Sequence, residues 1–289
     1  MIGAIWKPWF VRRPGQLVRR VWRGLVVRPA GPVVVRLPWR VGLEVDPRET
    51  IGRAIWTTGI YDLAVSEALW RLTRPGDTVV DAGANIGYMT GLLAVRAGTA
   101  GRVLAFEPHP AVCERLRGNV ARLSVHPNAA PVEVRQTGLS REAATATLLA
   151  GAAEAANDGL AYIGSGDGIA IRTERLDDVV GDGTVGVLKL DVEGHEPAVL
   201  AGAARLLGRR GIRCVVFEDH TGPGSQVMRV FAAAGYRVYA LGWRMRGPVL
   251  ADPNGPPVCR PYEAPNYLAV TDPVDTEAVM RRPAWELFG

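Results

Sequence analysis

A short run of small and polar residues at positions 81–87, Asp-Ala-Gly-Ala-Asn-Ile-Gly, directly follows an apolar stretch at 78–80. A buried parallel strand that ends in a tight glycine turn lets the backbone approach a ligand, because glycine has no Cβ and adopts positive φ freely. The next apolar run, 103–106, ends at Glu107, which we expect to face a ribose. These features predict a site for a nucleoside cofactor.

The spacing of the glycines decides which cofactor is expected. A dinucleotide fingerprint requires Gly-x-Gly-x-x-Gly, but counting from Gly83 places Asn85 and Tyr88 at the second and third glycine positions. The sequence therefore disfavours a nicotinamide-dependent oxidoreductase. The pattern that fits is Asp-x-Gly-x-Asn-x-Gly followed by Glu107, and it resembles the S-adenosylmethionine (SAM) loop of class I methyltransferases.

The elements that must position this turn alternate between short apolar runs and helical stretches, which predicts parallel strands joined by crossover helices. Seven strands are expected, at 78–80, 103–106, 132–135, 187–190, 212–217, 237–241 and 267–270. Helices are expected at 86–97, 110–123, 196–207 and 226–234. Outside this alternation we expect a hairpin at 33–45, a strand pair within 138–167 with a mobile loop at 157–168, and a long loop at 247–265.

Acidic residues follow four of the expected strands, namely Asp81, Glu107, Asp191 and Glu218. In a doubly wound sheet, ligands bind in the crevice beyond the carboxyl ends of the strands. We therefore expect these side chains to converge on one site that holds both cofactor and substrate.

Four segments in this order resemble the FkbM family of SAM-dependent methyltransferases, over about residues 56–270. They are Asp-Thr-Val-Val-Asp-Ala-Gly-Ala-Asn-Ile-Gly at 77–87, Ala-Phe-Glu-Pro at 105–108, Thr-Glu-Arg-Leu-Asp-Asp at 173–178 and Leu-Lys-Leu-Asp-Val-Glu-Gly-His-Glu at 188–196. The resemblance implies an α/β, Rossmann-like class I methyltransferase fold, with a seven-stranded, mostly parallel sheet whose last strand is antiparallel. We expect a basic N-terminal arm and hairpin at 1–45 and the methyltransferase domain at 46–289.

The resemblance also implies SAM as the cofactor and a set of residues that bind it. Gly83, Asn85 and Gly87 are expected to bring the backbone close to the methionine portion, Asp81 to support this turn indirectly, and Glu107 to bind the ribose hydroxyls. The complete expected cofactor set is Asp81, Gly83, Asn85, Gly87, Glu107, Pro108 and Asp191.

Two chemistries remain open for the methyl transfer step. In the first, a general base removes the proton of the acceptor, for which the candidates are Asp191, Glu193, His195 and His220. In the second, Mg²⁺ lowers the pKa of the acceptor hydroxyl and is held by oxygen ligands from Asp191, Glu218 and Asp219. Glu193 could instead bind amides at the start of the following helix. Lys189 lies in a strand expected to be buried and therefore requires an acidic partner or a polar edge.

The function expected from these features is transfer of a methyl group to a hydroxyl of a carbohydrate, polyketide or other secondary-metabolite or glycan acceptor. The alternatives are a non-catalytic SAM-binding module and an N-methyltransferase acting on a small molecule. A nucleic-acid methyltransferase is disfavoured, because Asp-Val-Glu-Gly follows Leu190 where an Asn-Pro-Pro-aromatic run would be expected. The aromatic residues Trp243, Tyr262 and Tyr267 could pack locally or against an acceptor.

Composition and charge limit the possible compartments and partners of the chain. The chain has 289 residues, 48% of them hydrophobic, and three widely spaced cysteines, which fits one large core in a reducing cytoplasm. No stretch approaches the length of a membrane span.

Residues 1–43 carry nine Lys and Arg, no acidic residue and half of the eight tryptophans. This segment fits an anionic membrane surface or an acidic partner, or a packed arm with solvated arginines.

Overall fold

The computed structural model of the chain describes residues 29–149, 161–164, 166–259 and 263–288. Within these ranges the strands, labelled in chain order, are β1 (Val33–Arg36), β2 (Gly42–Val45), β3 (Thr78–Ala82), β4 (Arg102–Phe106), β5 (Val132–Arg135), β6 (Gly138–Leu139), β7 (Thr145–Leu149), β8 (Tyr162–Gly164), β9 (Ile169–Glu174), β10 (Val185–Leu190), β11 (Ile212–Glu218), β12 (Arg237–Arg244), β13 (Gly247–Ala251) and β14 (Asn266–Val270). The helices are α1 (Thr50–Thr58), α2 (Leu63–Leu72), α3 (Tyr88–Ala97), α4 (Pro110–Leu123), α5 (Leu176–Val180), α6 (Glu196–Gly202), α7 (Ala204–Gly208), α8 (Gln226–Ala233) and α9 (Pro273–Met280).

A mixed sheet of eight strands, in the order β13-β12-β14-β11-β10-β3-β4-β5, forms the centre of the fold. The neighbours from β11 to β5 pair in parallel, whereas β14 lies antiparallel between β11 and β12. The class I methyltransferase fold expected from the sequence is confirmed, including its antiparallel last strand. The sheet has one strand more than expected.

Helices cover both faces of this sheet, so the central strands are buried on both sides and consist mostly of apolar residues. In β10 every residue is buried. Val187 packs into the hydrophobic cluster on one face, while Leu188 and Leu190 pack into the cluster on the other. This alternation along one strand joins the two halves of the core and fixes the position of the segment that follows Leu190.

The extra strand is β13, in a segment where the sequence predicted a loop. It pairs antiparallel with β12, with Pro248 opposite Trp243 and Gly247 opposite Arg244. The expectation was wrong because proline and glycine favour loops in general, but an edge strand tolerates a residue without an N–H. Of the loop expected at 247–265, residues 260–262, including Tyr262, lie outside the described residues.

The helix expected at 196–207 is broken into α6 and α7. The buried carboxylate of Asp177 accepts hydrogen bonds from the backbone N–H groups of Arg205 and Leu206, both at 2.9 Å. In a continuous helix these donors would bind carbonyls one turn earlier. Asp177 thus caps a second helix start, a long-range contact that local helix propensity does not reveal.

The segment expected to contain a strand pair forms a small four-stranded sheet, in the order β6-β9-β7-β8, which we call the cap sheet. Strand β7 pairs antiparallel with both β8 and β9, while β6 pairs in parallel with β9. Of the loop expected at 157–168, residues 157–160 and 165 lie outside the described residues. The cap sheet extends over one side of the strand ends.

The hairpin expected at 33–45 is confirmed, since β1 and β2 pair antiparallel. Asn119 of α4 fixes it by accepting from the Glu44 N–H at 2.7 Å and donating to the Glu44 carbonyl at 3.1 Å. Trp39 in its turn is buried and lies 5.2 Å from the Tyr88 ring, between centroids. Trp39 is therefore a core residue. The domain boundary at 45/46 stays a prediction.

A buried ion pair between Glu67 and Arg71 of α2 holds the C-terminal segment. The Arg71 guanidinium donates to the backbone carbonyls of Val279, Met280, Arg282 and Ala284. The Glu67 carboxylate accepts from the N–H groups of Glu286 and Leu287 at 2.7 and 3.0 Å. Both side chains are fully buried, and these backbone partners offset the cost of burying the two charges.

Residues 1–28, with Trp6, Trp9 and Trp22, lie outside the described residues, so the expected association of this segment with a membrane surface or an acidic partner stays a prediction. Among the helices that the structure describes, none combines the length and the apolar character that crossing a membrane requires.

Candidate active site

A cavity of ≈ 250 Å³ lies at the carboxyl edge of the large sheet. The ends of β3, β4, β10 and β11 contribute Gly83, Glu107, Asp191 and Glu218 to its lining. Across the sheet these strands follow the order β11-β10-β3-β4, so their ends lie in a row. The expected convergence of the acidic strand ends is thereby observed for Glu107, Asp191 and Glu218, while Asp81 lies behind the lining.

The glycine turn after β3 takes the left-handed backbone conformations that its sequence suggested. Gly83, Asn85 and Gly87 have φ of 77°, 49° and 91°. A Cβ on Gly83 would lie 1.9 Å from the Asp191 carbonyl oxygen, and one on Gly87 would lie 2.7 Å from Cδ1 of Leu116. The turn therefore packs against both neighbours and delays the start of α3 to Tyr88, two residues later than expected. Gly83 and Asn85 line the cavity, whereas Gly87 does not.

Glu107 connects the end of β4 to the glycine turn. Its Oε2 accepts from the Asn85 N–H at 2.9 Å, and its Oε1 accepts from the His109 N–H at 3.0 Å. Each carboxylate oxygen has a second lone pair, so Glu107 can still accept from a ligand hydroxyl. Burial raises the pKa of this carboxyl, although both amide hydrogen bonds oppose the shift.

Apolar side chains lie beside Glu107 and form a slot suited to a flat ring. Ile51, Pro108 and Val112 line this part of the cavity. At its edge Arg115 donates to both carboxylate oxygens of Glu49, at 2.7 and 2.9 Å. This bidentate pair joins α4 to the segment that precedes α1 and closes one side of the slot.

Lys189 has the acidic partners that its buried position required. Its ammonium lies 3.2 Å from Oδ2 of Asp191 and 3.6 Å from Oδ1 of Asp81. Burial works against the charged form, but the charges of Asp191 and Asp81 together raise the pKa of Lys189. Asp81 is fully buried and also accepts from Thr90 Oγ1 at 2.6 Å. Asp81 therefore supports the turn from behind and does not face a ligand.

The end of the cavity beside β11 is acidic. Burial and the charge of Asp191 raise the pKa of Glu218 to about 7, and the same two causes raise the pKa of Glu193. Glu193 has a φ of 52°, which turns the chain after β10. The amide-binding role considered for Glu193 belongs instead to Glu196, whose Oε1 accepts from the N–H groups of Val192 and Gly194. Glu193 is thereby left facing the cavity.

The two histidines considered as general bases lie outside the cavity lining. His195 Nε2 is 2.9 Å from Ser140 Oγ and links the start of α6 to the residue that follows β6. Burial and the charge of Arg141 lower the pKa of His195, which favours its neutral form. His220 pairs with Glu218, but 73% of its side chain is exposed. This geometry gives no support to the expectation that either imidazole contacts the acceptor.

Of the three carboxylates considered for Mg²⁺, Asp191 and Glu218 line the cavity and Asp219 does not. Asp219 is buried and turned away from the cavity, where it accepts from the Thr221 N–H at 2.9 Å and binds Ser225 Oγ at the start of α8. Asp191 pairs with Lys189. Among the residues that the structure describes, no group of three or more His, Cys, Asp and Glu side chains is arranged to hold a metal ion. The Mg²⁺ expectation therefore has no structural support.

The chemistry of the cavity fits SAM. A ribose diol requires an acceptor such as Glu107, and an adenine ring requires an apolar slot such as the one beside Val112. The positively charged sulfonium and ammonium groups suit Asp191, whose side chain is 40% exposed at the β10 end. The Gly83 carbonyl is held by the Lys189 ammonium at 2.7 Å, which preforms the turn.

Several lining residues could not be found from the sequence. Asp62, which precedes α2, has a φ of 37°, and its Oδ2 accepts from Nδ2 of Asn266 at 2.9 Å. Burial raises the Asp62 pKa to about 6. Leu148 and Ile163 of the cap sheet also line the cavity. An aspartate before a helix indicates only an N-cap, so local sequence carries no signal for these contacts.

Comparisons with known proteins agree with this site. The model of the methyltransferase FkbM domain matches residues 81–238. The chain is 34% identical over 202 residues to the 31-O-demethyl-FK506 methyltransferase FkbM of Streptomyces tacrolimicus, covering 58% of this chain and 75% of the relative. It is 30% identical over 175 residues to the hexuronic acid methyltransferase AglP of Haloferax volcanii, covering 58% of this chain and 67% of the relative.

Among solved structures, the methyltransferase FkbM from Methylobacillus flagellatus matches with a TM-score of 0.42 and 14% identity, covering 74% of this chain and 52% of that protein. The family model spans more than half of the present chain and includes the glycine turn, Glu107, Asp191 and Glu218. We conclude that the chain belongs to the FkbM family and is a SAM-dependent methyltransferase.

Proposed function

We propose that this chain transfers the methyl group of SAM to a hydroxyl of a carbohydrate, polyketide or related small-molecule acceptor. One observation carries the proposal: Glu218, a partly buried carboxylate, lines the same cavity as Gly83 and Glu107. Burial and the neighbouring Asp191 raise its pKa to about 7. A carboxylate of this basicity suits removal of a hydroxyl proton near neutral pH.

The two relatives support a small hydroxylated acceptor. The Streptomyces protein is named for methylation of 31-O-demethyl-FK506, which specifies transfer to oxygen. The Haloferax protein is named for methylation of a hexuronic acid. Transfer to oxygen by this chain agrees with both names and with the position of Glu218.

The main contribution of the chain is to align the acceptor hydroxyl with the methyl group of SAM. When bound, SAM supplies an electrophilic methyl group on a positively charged sulfur. Glu107 would hold the ribose, the turn at Gly83 would approach the methionine portion, and Asp191 would offset the positive charge of the cofactor. Glu218 lies two strands beyond β3, about 10 Å along the sheet edge, so it reaches the acceptor side of the cavity. There it accepts the proton of a hydroxyl held in line with the reacting carbon.

The test measures transfer of an isotopically labelled methyl group from SAM to a panel of glycosides, hydroxylated macrolides and amines, with the product linkage assigned by NMR. Glu218→Gln removes the proposed base, and Glu133→Gln on β5, outside the cavity, is the matched control. An O-methylated product that requires Glu218 supports the proposal. An N-methylated product would support the N-methyltransferase alternative. SAM binding without transfer to any panel member would favour the non-catalytic binding module.

The same assay, repeated with EDTA and with added Mg²⁺, tests the metal expectation. Asp219 accepts hydrogen bonds within the turn before α8. We therefore expect Asp219→Asn to change protein stability and not to change any dependence of methyl transfer on Mg²⁺. A Mg²⁺ dependence that disappears in this variant would restore the metal hypothesis.

A further inference from the structure

The acidic end of the cavity extends beyond Glu218 to a residue pair outside the segment that the family model matches. In the antiparallel pairing of β11 with β14, Glu218 lies opposite Asn266. Asn266 in turn donates its Nδ2 hydrogen to Oδ2 of Asp62 at 2.9 Å. Asp62, Asn266 and Glu218 all line the cavity, so they form its wall farthest from Glu107.

Asp62 is held in one orientation by both of its oxygens. Oδ1 accepts from the Val65 N–H at 3.2 Å and caps α2, while Oδ2 binds Asn266. Its φ of 37° is unusual for a residue with a side chain and is maintained by these contacts. Because α2 and β14 hold Asp62 from two directions, its carboxylate is preorganised where it meets the cavity.

Acceptors dominate the hydrogen-bonding capacity of this wall, because it carries the carboxylates of Asp62 and Glu218. Ionised carboxylates only accept hydrogen bonds, and each oxygen of Asp62 retains a lone pair after its protein contact. Asp191 and Glu193 add two further carboxylates beside Glu218. A ligand that satisfies this wall must donate hydrogen bonds, as a hydroxylated molecule does, and a ligand carboxylate would face like charges.

No counter-charge for an anionic ligand is available among the described residues that line the cavity. The two cationic side chains in that lining are already paired, Lys189 with Asp191 and Asp81, and Arg115 with Glu49. Arg115 also lies at the slot beside Glu107, at the other end of the site. An anionic acceptor would therefore be desolvated without compensation.

The part of the lining that comes from the cap sheet is apolar and lies on the other face of the large sheet from Asp62. Leu139 belongs to one hydrophobic cluster of the core, whereas Leu63 and Val65, which follow Asp62, belong to the other. Leu139, Leu148 and Ile163 of the cap sheet face the cavity, and Leu139 and Leu148 are buried. Such a surface binds the apolar part of a ligand whose other side carries hydroxyl groups.

We propose that Asp62, positioned by Asn266, selects an uncharged acceptor that has several hydroxyl groups on one side and an apolar surface on the other, and that this site rejects carboxylates. The inference rests on the proposed function and narrows its substrate class. The acceptor inferred for this chain is uncharged and therefore differs from that of the relative named for a hexuronic acid.

The experiment compares two matched probes, octyl glucoside and octyl glucuronide, which share an alkyl chain and ring hydroxyls and differ in one carboxylate. Binding to the full chain saturated with S-adenosylhomocysteine is measured by ligand-observed NMR below micelle concentrations. Asp62→Asn removes the charge and keeps a residue that caps helices and tolerates positive φ. Asp272→Asn is the control, because Asp272 caps α9 in the same way and lies outside the cavity lining.

The glucoside is expected to bind wild type and Asp272→Asn at least about tenfold more tightly than the glucuronide, and Asp62→Asn is expected to reduce this ratio to about threefold or less. Equal or tighter binding of the glucuronide to wild type, an unchanged ratio in Asp62→Asn, or binding of neither probe would overturn the inference. Failure of S-adenosylhomocysteine itself to bind would instead overturn the proposed function, and the inference with it.

Discussion

The ammonium of Lys189 donates a hydrogen bond to the carbonyl oxygen of Gly83 over 2.7 Å, so a buried charge on β10 holds the glycine turn that follows β3. The same ammonium lies between the carboxylates of Asp81 and Asp191. One side chain thus connects the turn expected to approach the cofactor with the strand end expected to face the acceptor.

Replacing Lys189 by methionine should destabilise the protein and weaken SAM binding. The substitution leaves Asp81 buried without its cation, a type of change that typically costs about 3 kcal/mol or more. Urea unfolding and calorimetric titration with SAM measure the two effects. The double variant Lys189→Met with Asp81→Asn should recover much of the lost stability, because the uncompensated charge is then absent. A double variant no more stable than Lys189→Met would contradict this account.

Glu107→Gln should weaken SAM binding by about tenfold or more, since it removes the charge that binds the ribose hydroxyls. Glutamine is preferred to alanine here because it keeps one acceptor oxygen for the Asn85 or His109 N–H. Calorimetric titration measures the affinity, with Glu133→Gln as the control on the neighbouring strand. An affinity equal to that of wild type would show that the cofactor assignment of Glu107 is wrong.

Ionisation of Glu218 should increase activity and decrease the stability of the fold. Its folded-state pKa, about 7, lies above the usual value of 4.5. As a general base it must be ionised, so turnover should fall as the pH decreases below about 7. As a group with a raised pKa, it contributes stability that is present below the unfolded-state pKa and lost as the pH rises through about 7.

Glu218→Gln should therefore lose most of its turnover. The free energy of unfolding of the variant minus that of wild type should be larger at pH 8 than at pH 5. Activity profiles and unfolding curves at both pH values check the two signs separately. A variant that loses turnover and stability together at pH 8 would indicate a structural role for Glu218.

His195→Ala should reduce turnover by less than about tenfold, because this imidazole lies outside the cavity lining and binds Ser140. Loss of the bond should cost about 1 kcal/mol of stability. Ser140→Ala should produce a similar loss, and the double variant should lose little more than either single one. A loss of turnover above about a thousandfold in His195→Ala alone would instead identify it as the base.

Asp191→Ala should reduce turnover more than SAM affinity, since Asp191 lies between the cofactor turn and Glu218. Single-turnover kinetics separate the methyl transfer step from binding. If SAM affinity falls as much as turnover, Asp191 acts only through the cofactor.

The sequence predicted the features that depend on local patterns. The glycine turn and Glu107 could be placed because apolar periodicity and glycine spacing are visible in a single chain. The antiparallel last strand was expected only from the resemblance to the FkbM family. The break in the helix expected at 196–207 was not predictable, because it depends on a distant carboxylate, that of Asp177. The contact between Asp62 and Asn266 was likewise hidden, since its two residues are 204 positions apart.

The orientation of the two histidine side chains could not be predicted from the sequence, for a different reason. His195 and His220 follow strand ends, so their positions in the sequence placed them near the site. Which way each side chain points depends on Ser140, which follows β6, and on exposure to solvent, and neither is encoded in the motif itself.

The burial of Glu67 and Arg71 has a consequence for biosynthesis. The backbone groups that satisfy this pair belong to residues 279–287, which the ribosome makes more than 200 residues after α2. Until that segment has left the exit tunnel, α2 cannot bury its two charges at acceptable cost, although its neighbour α3 is already available. This face of α2 therefore stays hydrated in the nascent chain until residues 279–287 have emerged.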